Sequence, residues 1–264
     1  MRPDAEDIEL LRQGRVAKVI FNRPTVGNAF SRNMYAEVYK ILEKLETDTS
    51  VGAIVFTGKG KHFSAGGDIN RFKELIESGQ FLTEESIMWA AQLTRAIYLC
   101  SKPTIAMVNG AAAGAGFSCA LACDYRIVTP STKMIMSFIN MGLPGDTGSL
   151  FLLPKRIGQE EADRMMMTGE PVSGKRAVEI GLASMLVENE KLDEIGLAFA
   201  EKLADRSTTA IAAQKRIQRK YFLDRLEEEF LDEAHEMAVA SRQPDFKEAV
   251  YAFLEKRPPK FNRG

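Results

Sequence analysis

Apolar positions along the chain switch between strand-like and helix-like spacing, and the switches divide it into elements. Residues 15–23 (RVAKVIFNR) are rich in Val and Ile and end at Pro24, which predicts a strand. Ser31 is placed as a helix N-cap, and Met34, Val38, Ile41, Leu42 and Leu45 recur at helical spacing, predicting an amphipathic helix over 31–46. Residues 52–57 (GAIVFT) predict a buried strand closed by Gly58 and Gly60. A glycine-rich turn, Ser64 to Gly67, precedes helical patterning that is interrupted around Gly79 and resumes as a second amphipathic helix over 86–99. After Pro103, TIAMVN predicts a short strand turned by Gly110, and 114–123 a helix of very small side chains. YRIV (125–128), KMIMSF (133–138) and ASMLVE (183–188) predict further strands, the last of them the final strand of the chain. Between them a Gly/Pro/Asp turn at 142–148 enters the helix SLFLLPKRIG, which Pro154 kinks or restarts. From about 190 onward the pattern is helical with alternating charge. The expected fold is an α/β body over residues 1–200 and a helical region over 201–264.

Charge narrows the function classes. A formal net charge of -1 shows no basic excess of the kind that nucleic-acid binding needs. The N-terminal residues MRPDAEDIELL carry acids and no apolar core, so they do not read as a secretory signal. Residues 103–123 are uncharged, as in a membrane span of ~20 residues, but Pro103, Asn109 and three bunched glycines favour strand, turn and helix. The expectation is a protein of the cytoplasm with no membrane or nucleic-acid partner. Cys100, Cys119 and Cys123 are too few and too irregularly placed for a disulfide framework, and nothing is spaced to join them around a metal.

Two strand-to-helix turns offer chemistry. Phe63-Ser64-Ala65-Gly66-Gly67-Asp68-Ile69 contains paired glycines, which let a ligand approach the backbone. Asn109-Gly110-Ala111-Ala112-Ala113-Gly114-Ala115-Gly116 opens a helix whose first N–H groups lack internal partners and face the positive end of the helix dipole. Two such N–H groups converging on one oxygen stabilise a carbonyl that becomes an enolate. Tight turns around a close-packed core would produce the same glycines.

These segments resemble a known family. HFSAGGDI (62–69) and VNGAAAGAGFSCALACDYRI (108–127) are similar to the two signatures of the crotonase, or enoyl-CoA hydratase/isomerase, superfamily and lie at the family's separation. FNRPTVGNAFS (21–31), MTGEPVSGKRAVEIGLASMLV (167–187) and EAVYAFLEKRPPKF (248–261) extend the resemblance across nearly the whole chain. It implies a spiral of ββα turns making two roughly perpendicular sheets, with a C-terminal helical region that forms trimers, often paired into hexamers. It also implies an acyl-CoA thioester substrate, with coenzyme A as part of the substrate and no separate cofactor or metal. Carried over by position, the oxyanion donors are the backbone N–H groups of Gly67 and Ala115. Ala29, Ala65, Asp68 and Ile69 match positions along the CoA adenine and pantetheine, and Phe253 and Lys256 match residues of the tail that reach CoA. Many relatives have glycine where this chain has Ala115, and a cation near Thr25 that this chain lacks.

The departures bear on the reaction. The two glutamates that a hydratase uses to activate water match Ser118 and Phe138, neither of which can act as a carboxylate. Both are expected to shape the acyl pocket instead. Gly142-Leu143-Pro144-Gly145-Asp146-Thr147-Gly148 resembles the turn that supplies the acid/base aspartate in isomerase-type members, although its proline falls one residue early. Asp146 then shuttles a proton, or else caps the helix that starts at Ser149. The expectation is double-bond isomerisation of an enoyl-CoA. Hydration, hydrolysis of a thioester or C–C bond, and acyl-CoA binding without chemistry stay open. Gly116-Phe117-Ser118-Cys119-Ala120 has the spacing of a hydrolase nucleophile elbow, but the only downstream histidine is His235 in an acidic helix. Residues 169–176 approach a phosphate loop but have Arg176 where Ser or Thr would bind magnesium.

Overall fold

A computed structural model describes residues 7–262. Strands β1 (Ile8–Gln13), β2 (Val16–Phe21), β3 (Ala53–Gly58), β4 (Thr104–Val108), β6 (Tyr125–Val128) and β9 (Met185–Leu186) form one six-stranded sheet in the order β1-β2-β3-β4-β6-β9. β1 and β2 make an antiparallel hairpin, and every later pairing in this sheet is parallel. A second sheet joins β5 (Ala111–Ala113), β7 (Lys133–Ile135) and β8 (Val172–Ser173) in the order β5-β7-β8.

Both faces of the large sheet are covered, which is why β3 reads as an unbroken apolar run. Ile54 and Phe56 face the main core, with Val19, Phe21 and Phe30. Val55, Ile105 and Ile127 face a smaller cluster closed by Ala200 and Ala204 of helix α8 (Leu192–Ala204). The predicted helix at 31–46 is α1 (Arg32–Thr47), with the Ser31 hydroxyl accepting from the Met34 N–H at 3.2 Å. The interrupted pattern after Gly67 resolves into α2 (Ile69–Glu77) and α3 (Glu84–Leu99). The uncharged stretch 103–123 becomes β4, β5 and α4 (Ala115–Ala122). Among the described residues no helix is long and apolar enough to cross a membrane. All three cysteines are free and buried.

Some elements differ from expectation. β1 was not predicted because only Ile8 of its six residues is buried, so it lacks the alternation that marks a half-buried strand. β5 and β8 have three and two residues, too short for a period. The strand expected over 133–138 stops at Ile135, and Phe138 instead starts a tight turn in which its carbonyl accepts from Met141 and Leu143. Pro154 lies inside α5 (Ser149–Ile157), and the break comes at Gly158 before α6 (Gln159–Thr168). The near phosphate loop is β8 running into α7 (Gly174–Glu179), with the Ser173 hydroxyl capping the Arg176 N–H.

The tail is helical as expected: α8 is followed by α9 (Thr208–Lys220), α10 (Leu223–Ala240) and α11 (Pro244–Leu254). One buried charge cluster fastens it to the sheet. Asp124, between α4 and β6, accepts from Lys215 and from Arg219 at 2.6 Å on α9, and from the Thr104 N–H at 2.9 Å at the start of β4. Burial alone would raise the Asp124 pKa, but Lys215 and Arg219 outweigh it and hold the carboxyl below its ordinary range. Asp124→Ala should therefore cost about 3 kcal/mol, read from the urea midpoint at neutral pH, because it strands two buried cations. A depressed pKa gives stability that is present above the ordinary carboxylate value and lost as pH falls through the folded value. The gap between wild type and variant should therefore shrink in acid, and a gap that persists unchanged would show that the ion cluster is not its source.

Candidate active site

The loops after β3 and β4 are braced against one another before any side chain is considered. The Asn109 side chain accepts from the Gly58 N–H at 3.2 Å and donates to the carbonyls of Gly58 and Gly60. The buried Asn28 side chain donates to the carbonyls of Lys59 and His62. Ser64 and Ala112 are bridged in parallel, with the Ser64 N–H donating to Ala111 and the Ala113 N–H to Ser64. Gly66, at φ +88°, lies so close to the second turn that a Cβ there would meet the Ala113 carbonyl oxygen at 2.6 Å and the Ala115 nitrogen at 3.3 Å. A Cβ on Gly116 would meet Ser64 at 2.7 Å. The two turns can only touch because these positions carry no side chain. Among the described residues, neither the Gly67 nor the Ala115 N–H has an internal acceptor.

A cavity of about 750 Å³ opens beside these N–H groups. Gly67, Ala115 and Asp146 line it, and so do Ala29, Ala65, Asp68 and Ile69. Phe138 forms part of its wall, and Phe253, exposed on α11, stands at its mouth. Two expected residues lie elsewhere. Ser118 is fully buried inside α4, its hydroxyl donating to the Gly114 carbonyl, and does not line the cavity. Lys256 is exposed beyond the end of α11 at φ +56° and does not line it either. The Ser118 hydroxyl and His235, which pairs with Glu84 at the surface, belong to different regions, so the elbow-like spacing assembles no triad.

Two carboxylates line the cavity, in different states. Asp68 caps α2 by accepting from the Asn70 N–H at 3.1 Å and pairs with Arg23 at 3.0 Å. Asp146 is 5% exposed, and its carboxylate accepts one hydrogen bond, from the Thr147 hydroxyl at 3.0 Å. It does not cap α5. That helix starts at Gly148 without a local side-chain cap, and Glu233 of α10 does the work instead. The Glu233 carboxylate accepts from the Gly148 N–H at 2.6 Å and the Leu150 N–H at 3.2 Å. Asp146 contributes only its carbonyl, to the Ser149 hydroxyl and N–H. Burial pushes the Asp146 pKa up to about 7, against the small opposing effect of Thr147. Burial raises the Glu233 pKa, the Gly148 and Leu150 N–H groups oppose the rise, and the nearby Asp146 adds to it. Repulsion between two buried carboxylates is mutual, and Glu233, with two N–H donors at a helix N-terminus, is the better seat for the negative charge.

Several lining residues escaped the sequence reading. Tyr35 of α1 sits on the cavity wall, its phenol pKa raised by burial and then by the nearby Asp146. Arg71 of α2 and Arg257 beyond α11 also line it. Arg257 is held by Glu248 and Glu255. Tyr35 is one of the buried residues of α1 and Arg71 is half-buried on α2, and helical periodicity marks neither as facing a ligand.

Known proteins share this chain's sequence pattern and fold. The profile of the enoyl-CoA hydratase/isomerase family matches residues 12–264. The trans-2-decenoyl-[acyl-carrier-protein] isomerase of Streptococcus mutans is 33% identical over 93% of this chain and 94% of its own length. The 1,2-epoxyphenylacetyl-CoA isomerase of Escherichia coli is 32% identical over 93% and 94%, and the 2,3-dehydroadipyl-CoA hydratase of the same organism 30% identical over 95% and 96%. A solved enoyl-CoA hydratase/isomerase from Pseudoalteromonas atlantica superposes with a TM-score of 0.86 at 29% identity, covering 97% of this chain and all of the other. In sequence and in its two-sheet α/β fold, the chain belongs to the enoyl-CoA hydratase/isomerase, or crotonase, family.

Proposed function

We propose that this enzyme isomerises a double bond in an enoyl-CoA, with Asp146 as the proton carrier. The supporting observation is the state of the Asp146 carboxylate: it is buried on the cavity wall, released from helix capping by Glu233, and pushed up to about 7. A general base with a pKa near the working pH both takes and returns a proton efficiently. In a 3-enoyl thioester, Asp146 removes a proton from C2. The C2–H electron pair becomes the C1=C2 bond of a dienolate, whose oxygen accepts from the N–H groups of Gly67 and Ala115. The protonated Asp146 then delivers its proton to C4, the C2=C3 bond forms and the thioester carbonyl returns. No water enters the balance. Addition of water would call for a second carboxylate, and the other one on the cavity wall, Asp68, is engaged by Arg23 and by the start of α2.

The remaining assignments belong to the same proposal. Ala29, Ala65, Asp68 and Ile69 line the CoA arm and Phe253 its outer end. Phe138 walls the acyl group, and Ser118 supports it from behind through α4. The helical region from 201 onward is the surface through which three copies associate.

Incubation with a 3-enoyl-CoA, followed by the absorbance of the conjugated thioester, tests the reaction. Conjugation should appear, and Asp146→Asn should slow it by about 10³-fold. Activity that survives this change would exclude Asp146 as the carrier. Because the deprotonated form starts the cycle, kcat/KM should reach half its plateau near pH 7 and fall toward acid. A carboxyl raised on folding favours the folded state while protonated and opposes it as pH rises through the folded value. Asp146→Asn should therefore melt above wild type at pH 8 and lose that advantage at pH 4.

Glu233 acts as a positioning residue. Glu233→Ala should lower stability by about 1–2 kcal/mol through loss of the cap and also reduce kcat. Glu233→Gln keeps an acceptor for the helix but removes the charge beside Asp146, so the midpoint of the kcat/KM profile should move to lower pH. An unmoved midpoint would mean that Glu233 serves the fold alone.

A further inference from the structure

The cavity has a neighbour. A second pocket of about 220 Å³ shares Tyr35, Arg71 and Ser86 with it, so the two adjoin. This annex lies where α2 gives way to α3, with Arg32, Trp89, Gln80 and Phe81 in its wall. It differs in character from the apolar main cavity. The Arg32 guanidinium lies over the Trp89 ring, 5.0 Å from its centre. Arg71 is half-buried, and among the described residues it makes no hydrogen bond or ion pair, although the other half-buried arginines, Arg23, Arg156 and Arg257, are engaged. Glu85, the one acid on the annex wall, is exposed and makes no ion pair with either guanidinium.

A partly buried cation without a counter-charge is costly unless a ligand supplies one. Arg71 stands at the junction, on the helix that starts two residues after Gly67. Arg71 lines the same cavity as Gly67 and Ala115, so an acyl group whose thioester carbonyl is held there can extend to it. Resting on the reading of this site as one for acyl-CoA, we propose that the annex receives the far end of the acyl group, and that this end carries a carboxylate which Arg71 binds. A guanidinium presents a planar fork that matches the two oxygens of a carboxylate. Leu75 and the partly exposed Phe81 place apolar surface beside the pair. Arg32, stacked on Trp89, adds positive potential at the outer rim.

Binding of saturated CoA thioesters tests this independently of the reaction. Pairs of six, eight and ten carbons, one ending in methyl and one in carboxylate, are titrated by calorimetry and by the emission of Trp89, the chain's single tryptophan. For at least one length the carboxylate-ended thioester should bind wild type about tenfold more tightly than its methyl partner. It should also shift Trp89 emission where the methyl partner does not. Arg71→Met should abolish the preference and leave methyl-ended affinity within about twofold; Arg71→Gln serves as the second variant if Arg71→Met loses both ligands. Equal or weaker binding of the carboxylate-ended thioester at every length, or a preference that survives loss of Arg71, would overturn the subsite and leave the acyl-CoA reading intact. Binding of neither member of any pair would overturn both.

Discussion

Contact between two backbone turns underlies everything else at this site. Gly66 and Gly116 leave no room for a Cβ against Ala113 and Ser64, so the chain ends of β3 and β4 meet backbone to backbone. Their meeting leaves the Gly67 and Ala115 N–H groups without internal acceptors at the edge of one cavity. Orphan donors beside a water-excluding wall are costly in the resting protein and valuable only when a developing oxyanion takes their place. The buried side chains of Asn28 and Ser64 and the half-buried side chain of Asn109 offset that cost by satisfying the remaining loop polar groups.

The second requirement is a carboxylate that is free to react. A turn aspartate ahead of a helix is normally drawn to the helix N-terminus, where unpaired N–H groups and the dipole hold it ionised. Here Glu233 occupies that place from α10, and Asp146 is left with a single hydroxyl partner. Two acids buried this closely resist carrying two charges, which keeps a proton available at the site near neutral pH. The tail helix thereby takes part in setting the protonation state of a residue 87 positions earlier in the chain.

Local signals were legible in the sequence and distant ones were not. The Ser31 cap, the apolar run of β3 and the small-residue helix after Gly114 each carry their cause within a few residues. β1 and β5 owe their existence to neighbouring strands, and neither the exposed residues of one nor the three alanines of the other mark them. Phe138 sits in a run that reads as strand, yet Gly142 at φ +66° closes a tight turn there. At the site, the two glycine turns stood out by composition, whereas the choice between proton transfer and capping at Asp146 turned on Glu233, which local spacing cannot supply. Tyr35 and Arg71 look like ordinary members of amphipathic helices until the fold sets them against the same cavity.

The short helix α2 is secured at its start in three ways. Asp68 caps it and ties it to Arg23, the Phe72 ring lies where a Cβ on Gly67 would come within 2.7 Å, and Phe72 stacks edge-on against Phe246 of α11 at 5.6 Å. Swinging this helix outward to admit a bulkier acyl group would drag the Gly67 donor out of register with the carbonyl. Divergence of substrate range in such a scaffold is therefore channelled away from helix movement and into exchange of individual side chains along α3 and the segment before it, where Leu82, Ile87 and Ala90 line the cavity without touching the donor geometry.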